Sequence, residues 1–277
     1  MSWSRALLLL FVCAPAFAGE GFVIGLGVES DNADGLAGVV IGEFGLTKET
    51  WLSAAVGRNT VDRPDSTGID SWYGHVGVDH WFKPVGVRAG VSYWGDRDSL
   101  DSTDFNGSLY WRNDRFSIAA DYEYRDFEVD LPPIGMIAAR NVGFDADGFG
   151  VSARLDITDN VDIGLSGMDY DYSVNLRIDD NRPLLDFLVF SRLSLINSLV
   201  DYRAYTTLGV DMGERRLELN VGRWKGEVDG GTTTSATARF LTPLGAVSDI
   251  EFALGYDDSD LYGGVTFFSV FLYFYGG

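Results

Sequence analysis

The chain has 277 residues, of which 41 are acidic and 21 are Lys or Arg, so its formal net charge is −20. This acidity argues against binding of nucleic acid through the phosphates, which requires clustered Lys and Arg. The 34 Gly, the 7 Pro and the 14% aromatic content favour many closely packed strands over helices, because Gly in a helix interior is costly.

Residues 1–18 have the pattern of a secretory signal peptide. A basic residue precedes an apolar run from Ala6 to Val12, and Ala16 to Ala18 forms an A-x-A cleavage site. The apolar run is too short to span a bilayer as a helix. A lipoprotein signal that ends at Cys13 is the alternative, but a bulky residue stands where a small one is expected before it. Cleavage after Ala18 would remove the only Cys, so the mature chain could hold no disulfide or thiolate metal site.

Residues 19–277 alternate repeatedly between apolar and small or polar residues, with the period of two that is typical of strands. On this pattern we predict fourteen strands, near residues 22–30, 35–44, 50–60, 69–82, 85–95, 103–111, 115–127, 146–158, 161–174, 203–212, 215–228, 231–242, 246–257 and 261–275. A soluble β-sandwich or barrel would alternate in the same way. Many of the predicted strands, however, reach about ten residues or more, where ordinary strands have about five or six and a tilted bilayer-crossing strand needs about nine to eleven. Strand length therefore favours a membrane protein.

The same region contains no apolar run of about 18 residues that could form a transmembrane helix. A closed β-barrel is the other fold that satisfies its own backbone hydrogen bonds in lipid. The sequence therefore predicts an all-β fold over residues 19–277, a closed antiparallel transmembrane β-barrel of about fourteen strands.

The predicted connections are sorted by length. Every connection after an even-numbered strand is short, and the long ones follow odd-numbered strands, around Asp62 to Gly68, Asp126 to Asp145 and Asn175 to Asp201. Outer-membrane barrels have this asymmetry, with short periplasmic turns and longer external loops. A soluble sandwich has no physical reason to sort its loops in this way.

In these features nearly all of the mature sequence resembles the Gram-negative outer-membrane β-barrel class, porin-like proteins included. The resemblance names an architecture and no particular family. It implies a location in the cell outer membrane, with membrane lipid, lipopolysaccharide and the outer-membrane assembly machinery as partners. Such proteins usually end in an aromatic residue that the assembly machinery reads, whereas here the aromatic run from Phe267 to Tyr275 is followed by two glycines. We expect assembly by the usual route.

The two histidines, His75 and His80, lie on the predicted fourth strand. Their odd separation puts them on opposite faces, so they cannot share one metal or one active site. His75 is predicted to face the lumen with Ser71, Tyr73 and Asp79, where a Ser or Asp from elsewhere on the wall could complete a hydrolytic triad. A polar lumen residue is the favoured interpretation. We expect no catalytic residue, no cofactor and no resident metal.

Acidic residues gather in the predicted external loops, where carboxylates could hold Ca²⁺ or Mg²⁺. The segment from Asp145 to Gly148 resembles a calcium loop, but it lacks the third Asp and the bidentate Glu of an EF-hand. Solvated loop charges are the favoured interpretation.

The predicted lumen face carries charges of both signs. The candidate lumen-lining residues are Arg88, Arg112, Asp121, Glu123, Arg154, Asp156, Arg203 and Glu218. They could line a water-filled pore and set its selectivity, or they could pair with one another across a filled lumen. Eight-stranded barrels are filled by side chains, and those with sixteen strands or more leave a channel. A barrel of about fourteen strands lies between, and we predict a narrow pore.

The segment from Pro183 to Tyr202 does not alternate like a strand. Its apolar residues recur at spacings of three and four, and its proline stands where a first helical turn tolerates it. We predict a helix in the longest external loop, with an extra hairpin as the alternative. Because the predicted lumen is polar, we expect this helix at the external rim, on the barrel edge or in lipid, and not as a plug.

The leading functional prediction is a channel through which small hydrophilic solutes or ions diffuse. An outer-membrane hydrolase at the barrel rim is the second hypothesis. A structural or assembly barrel that binds another envelope component is the third.

Overall fold

The computed structural model describes residues 20–63, 66–96, 100–131, 140–173, 199–227, 230–261 and 263–277. The predicted signal peptide, residues 1–18, lies outside the described residues.

Fourteen antiparallel strands close into one barrel, in which each strand pairs with its neighbours in sequence and β1 pairs with β14. The strands are β1 Phe22–Asp31, β2 Gly35–Gly45, β3 Thr50–Arg63, β4 Ser66–Trp81, β5 Val85–Asp96, β6 Leu100–Arg112, β7 Phe116–Leu131, β8 Arg140–Thr158, β9 Val161–Tyr172, β10 Val200–Met212, β11 Arg215–Gly226, β12 Thr232–Gly245, β13 Ser248–Ser259 and β14 Gly263–Gly276. The predicted all-β barrel and its strand number are confirmed. The shortest strand has 10 residues and the longest has 19, so every strand is long enough to cross a bilayer at a tilt.

The outer surface of the barrel is apolar. One row that crosses four neighbouring strands consists of Val87, Leu109, Ala120 and Val151. Leu109 and Val151 are 58% and 65% exposed. Large exposed apolar areas of this kind are unusual on a soluble monomer, whereas a barrel in lipid turns such a band outward.

The two ends of the barrel differ. The turn end is formed by the connections after even-numbered strands, at residues 46–49, 82–84, 113–115, 159–160, 213–214 and 246–247. The loop end is the opposite end, formed by the connections after odd-numbered strands. At the turn end, Gly213 has φ +71°, a left-handed conformation that glycine adopts at no steric cost.

Two of the predicted long loops are shorter than predicted. β3 runs to Arg63 and β4 begins at Ser66, so the region around Asp62 to Gly68 is mostly hairpin. Likewise β7 and β8 stay paired beyond Asp126 and Asp145, which lie opposite each other in the ladder. In the β7–β8 segment the acidic residues suggested a loop, but Phe127 and Phe144 keep the strand alternation and stack on each other.

The predicted helix over Pro183 to Tyr202 is wrong at its C-terminal end, because Val200 to Tyr202 belong to β10. The rest of this prediction lies outside the described residues, which omit 174–198. In the part of the chain that the structure describes, no helix is long and apolar enough to span a bilayer.

Candidate functional site

Side chains that reach over intervening strands identify the inner face of the barrel. Tyr110 on β6 donates to Asp79 on β4 at 2.5 Å, across β5. Arg203 on β10 donates to Glu123 on β7 at 2.9 Å, across β8 and β9. Such contacts can pass only along the concave side of a closed sheet, so these four residues face the interior.

Glycines on the intervening strands make these contacts possible. A Cβ at Gly86 on β5 would lie 2.1 Å from the Tyr110 ring, and one at Gly148 on β8 would lie 2.6 Å from the Tyr170 ring. Both distances are far too short for a side chain. The inner wall is therefore shaped by pairs in which an aromatic ring covers a neighbouring glycine.

Strand register places all eight candidate residues on this inner face. Alternation along each strand sends every second side chain to this face. Register then aligns side chains of neighbouring strands in rows, as in the row of Asp79, Arg88, Ser108 and Asp121. Their contact with a permeating solute remains a prediction.

A buried ionic cluster occupies the loop-end half of the interior. Glu123 accepts hydrogen bonds from Arg125 at 2.8 Å, Tyr170 at 2.8 Å and Arg203 at 2.9 Å. Arg125 also donates to the Tyr170 hydroxyl at 3.0 Å. Glu123 is 8% exposed and Arg125 is 5% exposed. Removal of one partner from such a buried group leaves an uncompensated charge and is strongly destabilising.

Arg125 and Tyr170 are functional candidates that sequence reasoning missed. Alternation places Arg125 on the same face as Glu123, two residues away, and this spacing was the signal available. Tyr170 lies 47 residues from Glu123 in sequence, and nothing local indicates their contact.

An apolar cluster lies beside this ionic cluster at the loop end. Phe127 and Phe144 stack with ring centroids 4.9 Å apart, and Phe127 is completely buried. The cluster also contains Trp94, Leu100, Ala146 and Leu199. The prediction of a polar interior is therefore wrong for this region, because strands of the β7–β8 hairpin turn aromatic residues inward. In this region the interior offers an apolar segment an apolar surface.

The turn-end half of the interior holds an ionic network around Asp162, which is itself buried while its arginine partners are more exposed. Asp162 on β9 contacts Arg154 at 3.0 Å and Arg216 at 2.7 Å, and Arg216 also contacts Asp211 at 2.9 Å. The Arg154 side chain is 54% exposed. Asp156 and Glu218 join the edges of this network, at 3.8 Å from Arg154 and 3.7 Å from Arg216 respectively.

A cavity of about 420 Å³ opens on the inner wall between β5 and β10. It brings together four of the eight candidates, Arg88, Asp121, Glu123 and Arg203. Asp121 accepts from Ser108 at 2.5 Å and from a second serine on β8 at 3.0 Å. The inward-facing lining also includes Asn106, Ser166, Met168 and Tyr205. Uncharged polar residues were not selected from the sequence, where nothing distinguishes them from other strand residues.

Arg112 stands apart from the cavity. Its guanidinium lies 4.0 Å from the centroid of the Trp81 ring and 5.8 Å from that of Tyr110. Cations are attracted to the faces of aromatic rings in this geometry. This contact places Arg112 at the turn end of the interior.

The histidines lie on opposite faces, as predicted. The ring nitrogens of His75 contact Ser92 Oγ at 3.0 Å and Ser53 Oγ at 3.4 Å. A hydrolytic triad needs a carboxylate on the second ring nitrogen, and here both nitrogens face serine hydroxyls.

On the outer face, His80 contacts Thr50 Oγ1 at 2.7 Å and packs edge-on against Phe82.

The segment compared with a calcium loop is strand. Asp145 and Asp147 belong to β8, and Asp147 accepts a hydrogen bond from Tyr122 at 2.5 Å. An extended strand spreads carboxylates along a line and does not wrap them around an ion. Within the described ranges, no group of three or more His, Cys, Asp or Glu is arranged to hold a metal ion.

No known family model and no curated protein matches this chain. Among solved structures, a CymD monoaromatic hydrocarbon channel is 8% identical with a TM-score of 0.54, and the match covers 93% of this chain and 88% of that one. OmpTdeltaL8, a loop deletion mutant of an outer membrane protein of Vibrio cholerae, is 10% identical with a TM-score of 0.50 and coverages of 92% and 99%. A KdgM porin is 10% identical with a TM-score of 0.48 and coverages of 91% and 98%. The chain has the closed-barrel fold of the first two of these proteins. At such low identity the likeness is one of fold.

Proposed function

We propose that the protein is a porin-like channel of the Gram-negative outer membrane, through which small hydrophilic solutes or ions diffuse. The observation that carries the proposal is the cavity between β5 and β10, where Arg88, Asp121, Glu123 and Arg203 meet inside a closed barrel. Charged and polar groups at such a position offer a permeating solute partners in place of water.

The outer surface supports the proposed location. Exposed apolar side chains such as Leu109 and Val151 would contact membrane lipid. In the proposed orientation the turn end faces the periplasm, and the loop end faces outward, where it would contact lipopolysaccharide. No contact among the described residues favours a rim hydrolase or an assembly barrel over a channel.

We expect a modest preference for cations. Glu43, Asp249 and Glu251 face the interior and make no ion pair within the described ranges, whereas most of the interior arginines contact carboxylates. A wall with excess negative charge raises the local cation concentration by focusing the field. Since the Debye length falls from about 10 Å at 0.1 M salt to about 3 Å at 1 M, the preference should weaken as salt rises.

Planar-bilayer recording of the refolded protein tests the proposal. Assembly is checked first by heat modifiability, because a closed ladder without free edges resists detergent until it is heated. We expect discrete conductance steps, with a reversal potential on the cation side at low salt. A heat-modifiable barrel that produces no steps would contradict the channel, and clear anion selectivity would contradict the charge argument.

A further inference from the structure

Two aromatic residues of β14, Phe271 and Tyr273, form a pair on the inner wall in the turn-end half. Their rings are nearly parallel, at 14°, with centroids 5.9 Å apart. A Cβ at Gly27 would lie 2.2 Å from the Phe271 ring, and a Cβ at Gly25 would lie 3.0 Å from the Tyr273 ring. The rings therefore lie inward of two β1 glycines. Both residues remain partly exposed, and their free surface faces the lumen.

Carboxylates flank this pair on the neighbouring strand β13. Glu251 lies opposite Phe271 in the ladder, and Asp249 lies opposite Tyr273. Asp249 accepts a hydrogen bond from the Tyr275 hydroxyl at 3.3 Å. Glu251 makes no ion pair with any residue that the structure describes. The pair is thus bordered by negative charge on one side and by glycine backbone on the other.

The nearest arginine on this side belongs to the strand beyond. Arg239 on β12 contacts Glu218 at 3.9 Å. It lies opposite Ala253 and diagonally from Glu251, close enough to interact electrostatically with that carboxylate. One arginine therefore serves both Glu218 and Glu251, and Asp249 lies opposite Pro243. Negative charge remains in excess beside the aromatic pair.

Two other inward-facing tyrosines, Tyr110 and Tyr170, already have a cation near the ring. Arg88 lies 5.8 Å from the Tyr110 ring, whose hydroxyl donates to Asp79. Arg125 lies 4.6 Å from the Tyr170 ring, whose hydroxyl donates to Glu123. Each of these sites combines an aromatic ring, a carboxylate and a guanidinium, and so satisfies both the ring face and the negative charge.

The β14 pair has the aromatic rings and the carboxylates of these sites but lacks their guanidinium. Ring faces and carboxylates are present at Phe271 and Tyr273, but within the described ranges no Lys or Arg lies over either ring. An ammonium or guanidinium group in the lumen would complete the arrangement. An anion would meet the carboxylates unfavourably, and a neutral solute would gain nothing from them.

We propose that Phe271 and Tyr273, with Glu251 and Asp249, form a binding step for an organic cation along the permeation path. The solute class is an ammonium or guanidinium group on a small apolar or planar body, because such a weakly hydrated cation gains both from the rings and from the carboxylates. The inference rests on the proposed channel function and names the solute class that the channel would favour.

The test is block of the potassium current by choline in planar bilayers that contain the refolded protein. We expect choline to reduce the current in a saturable way in the wild-type channel. The double variant Phe271→Leu with Tyr273→Leu keeps apolar bulk over the glycines but removes the ring faces. Its choline affinity should fall by about fivefold or more, since a cation over a ring contributes on the order of 1 kcal/mol.

Matched variants separate this effect from a general disturbance of the strand. Phe268→Leu and Phe274→Leu change exposed rings on the outer face of β14 and should leave choline block unchanged. Phe271→Tyr keeps a ring and should retain the block, whereas Glu251→Gln should weaken it. Heat modifiability confirms assembly of each variant, and the single variants carry the test should the double variant not assemble.

Three results would overturn the inference. The first is conductance that choline does not block at any concentration, and the second is an equal block in wild type and the leucine variants; both leave the channel itself intact. The third is an equal block by glucose, which would show stacking without selection for positive charge. Absence of any conductance from an assembled barrel would instead remove the proposed function, and this inference with it.

Discussion

The two halves of the barrel interior use the same kinds of residue in different ways. In the loop-end half, Glu123 and Arg125 are almost fully buried beside an apolar cluster around Phe127. In the turn-end half, Arg154 pairs with Asp162 but keeps more than half of its side chain in contact with water. Buried ion pairs depend on one another for stability, whereas exposed pairs are weak and can exchange partners. The first half therefore contributes more to the stability of the wall, and Arg154 in the second keeps more of its surface free for a solute.

The largest difference between the halves should appear on truncation of the apolar cluster. Phe127→Ala should lower the free energy of unfolding by about 3 to 5 kcal/mol, because it removes a fully buried ring and leaves a cavity. Denaturant unfolding of the refolded barrel in detergent measures this loss. Phe149→Ala is the control, since Phe149 is 66% exposed on the outer face; an equal loss there would mean that the cluster is not a core.

Truncation within the buried ionic cluster should cause the next largest loss of stability. Glu123→Ala leaves two guanidinium groups without their carboxylate and should cost about 3 kcal/mol, at the low end for a buried pair because Arg203 is one-third exposed. The turn-end counterpart, Arg154→Ala, should cost about 0 to 1 kcal/mol, since Asp162 keeps Arg216. Unfolding midpoints at one protein concentration compare the two. Similar losses would show that burial does not distinguish the halves.

The aromatic rings that cover glycines offer a smaller and more local change. Gly86→Ala places a methyl group 2.1 Å from the Tyr110 ring, so the ring must move away from Asp79. We expect a loss of about 1 to 3 kcal/mol, as is usual for overpacking. Gly74→Ala is the matched control, because a Cβ there meets nothing within 4 Å. If both variants lose the same unfolding free energy, strand propensity and not ring packing would explain the cost of replacing Gly86.

The smallest expected effect concerns the cavity charge. Asp121 contacts two serine hydroxyls and makes no ion pair among the described residues, so Asp121→Asn should leave stability within about 1 kcal/mol. It should nevertheless reduce the cation preference, measured as the reversal potential at low salt. Asp147→Asn changes a carboxylate on the outer face of β8 and should leave the reversal potential unaltered. A shift of equal size in both variants would place the selectivity outside the cavity.

Strand number and face could be predicted from the sequence because both depend on local alternation. Arg88, Asp121 and Glu123 face inward as expected, since a period of two sends every second side chain to the same side. Strand ends were harder to predict. Asp126 and Asp145 resemble loop residues, yet they lie opposite each other within the β7–β8 ladder. The next pair along the ladder, Phe127 and Phe144, stacks on the inner face.

The sequence by itself determined a closed barrel of fourteen strands and the residues that face its interior. Only the tertiary structure decided which of those residues meet and which are buried. Glu123 and Arg203 are 80 positions apart, and their contact depends on the register of every strand between them. Burial of Arg125 and exposure of Phe271 likewise depend on which rows of inward-facing side chains are covered by other side chains. Alternation is a property of one strand, whereas closure, register and filling of the lumen belong to the whole barrel.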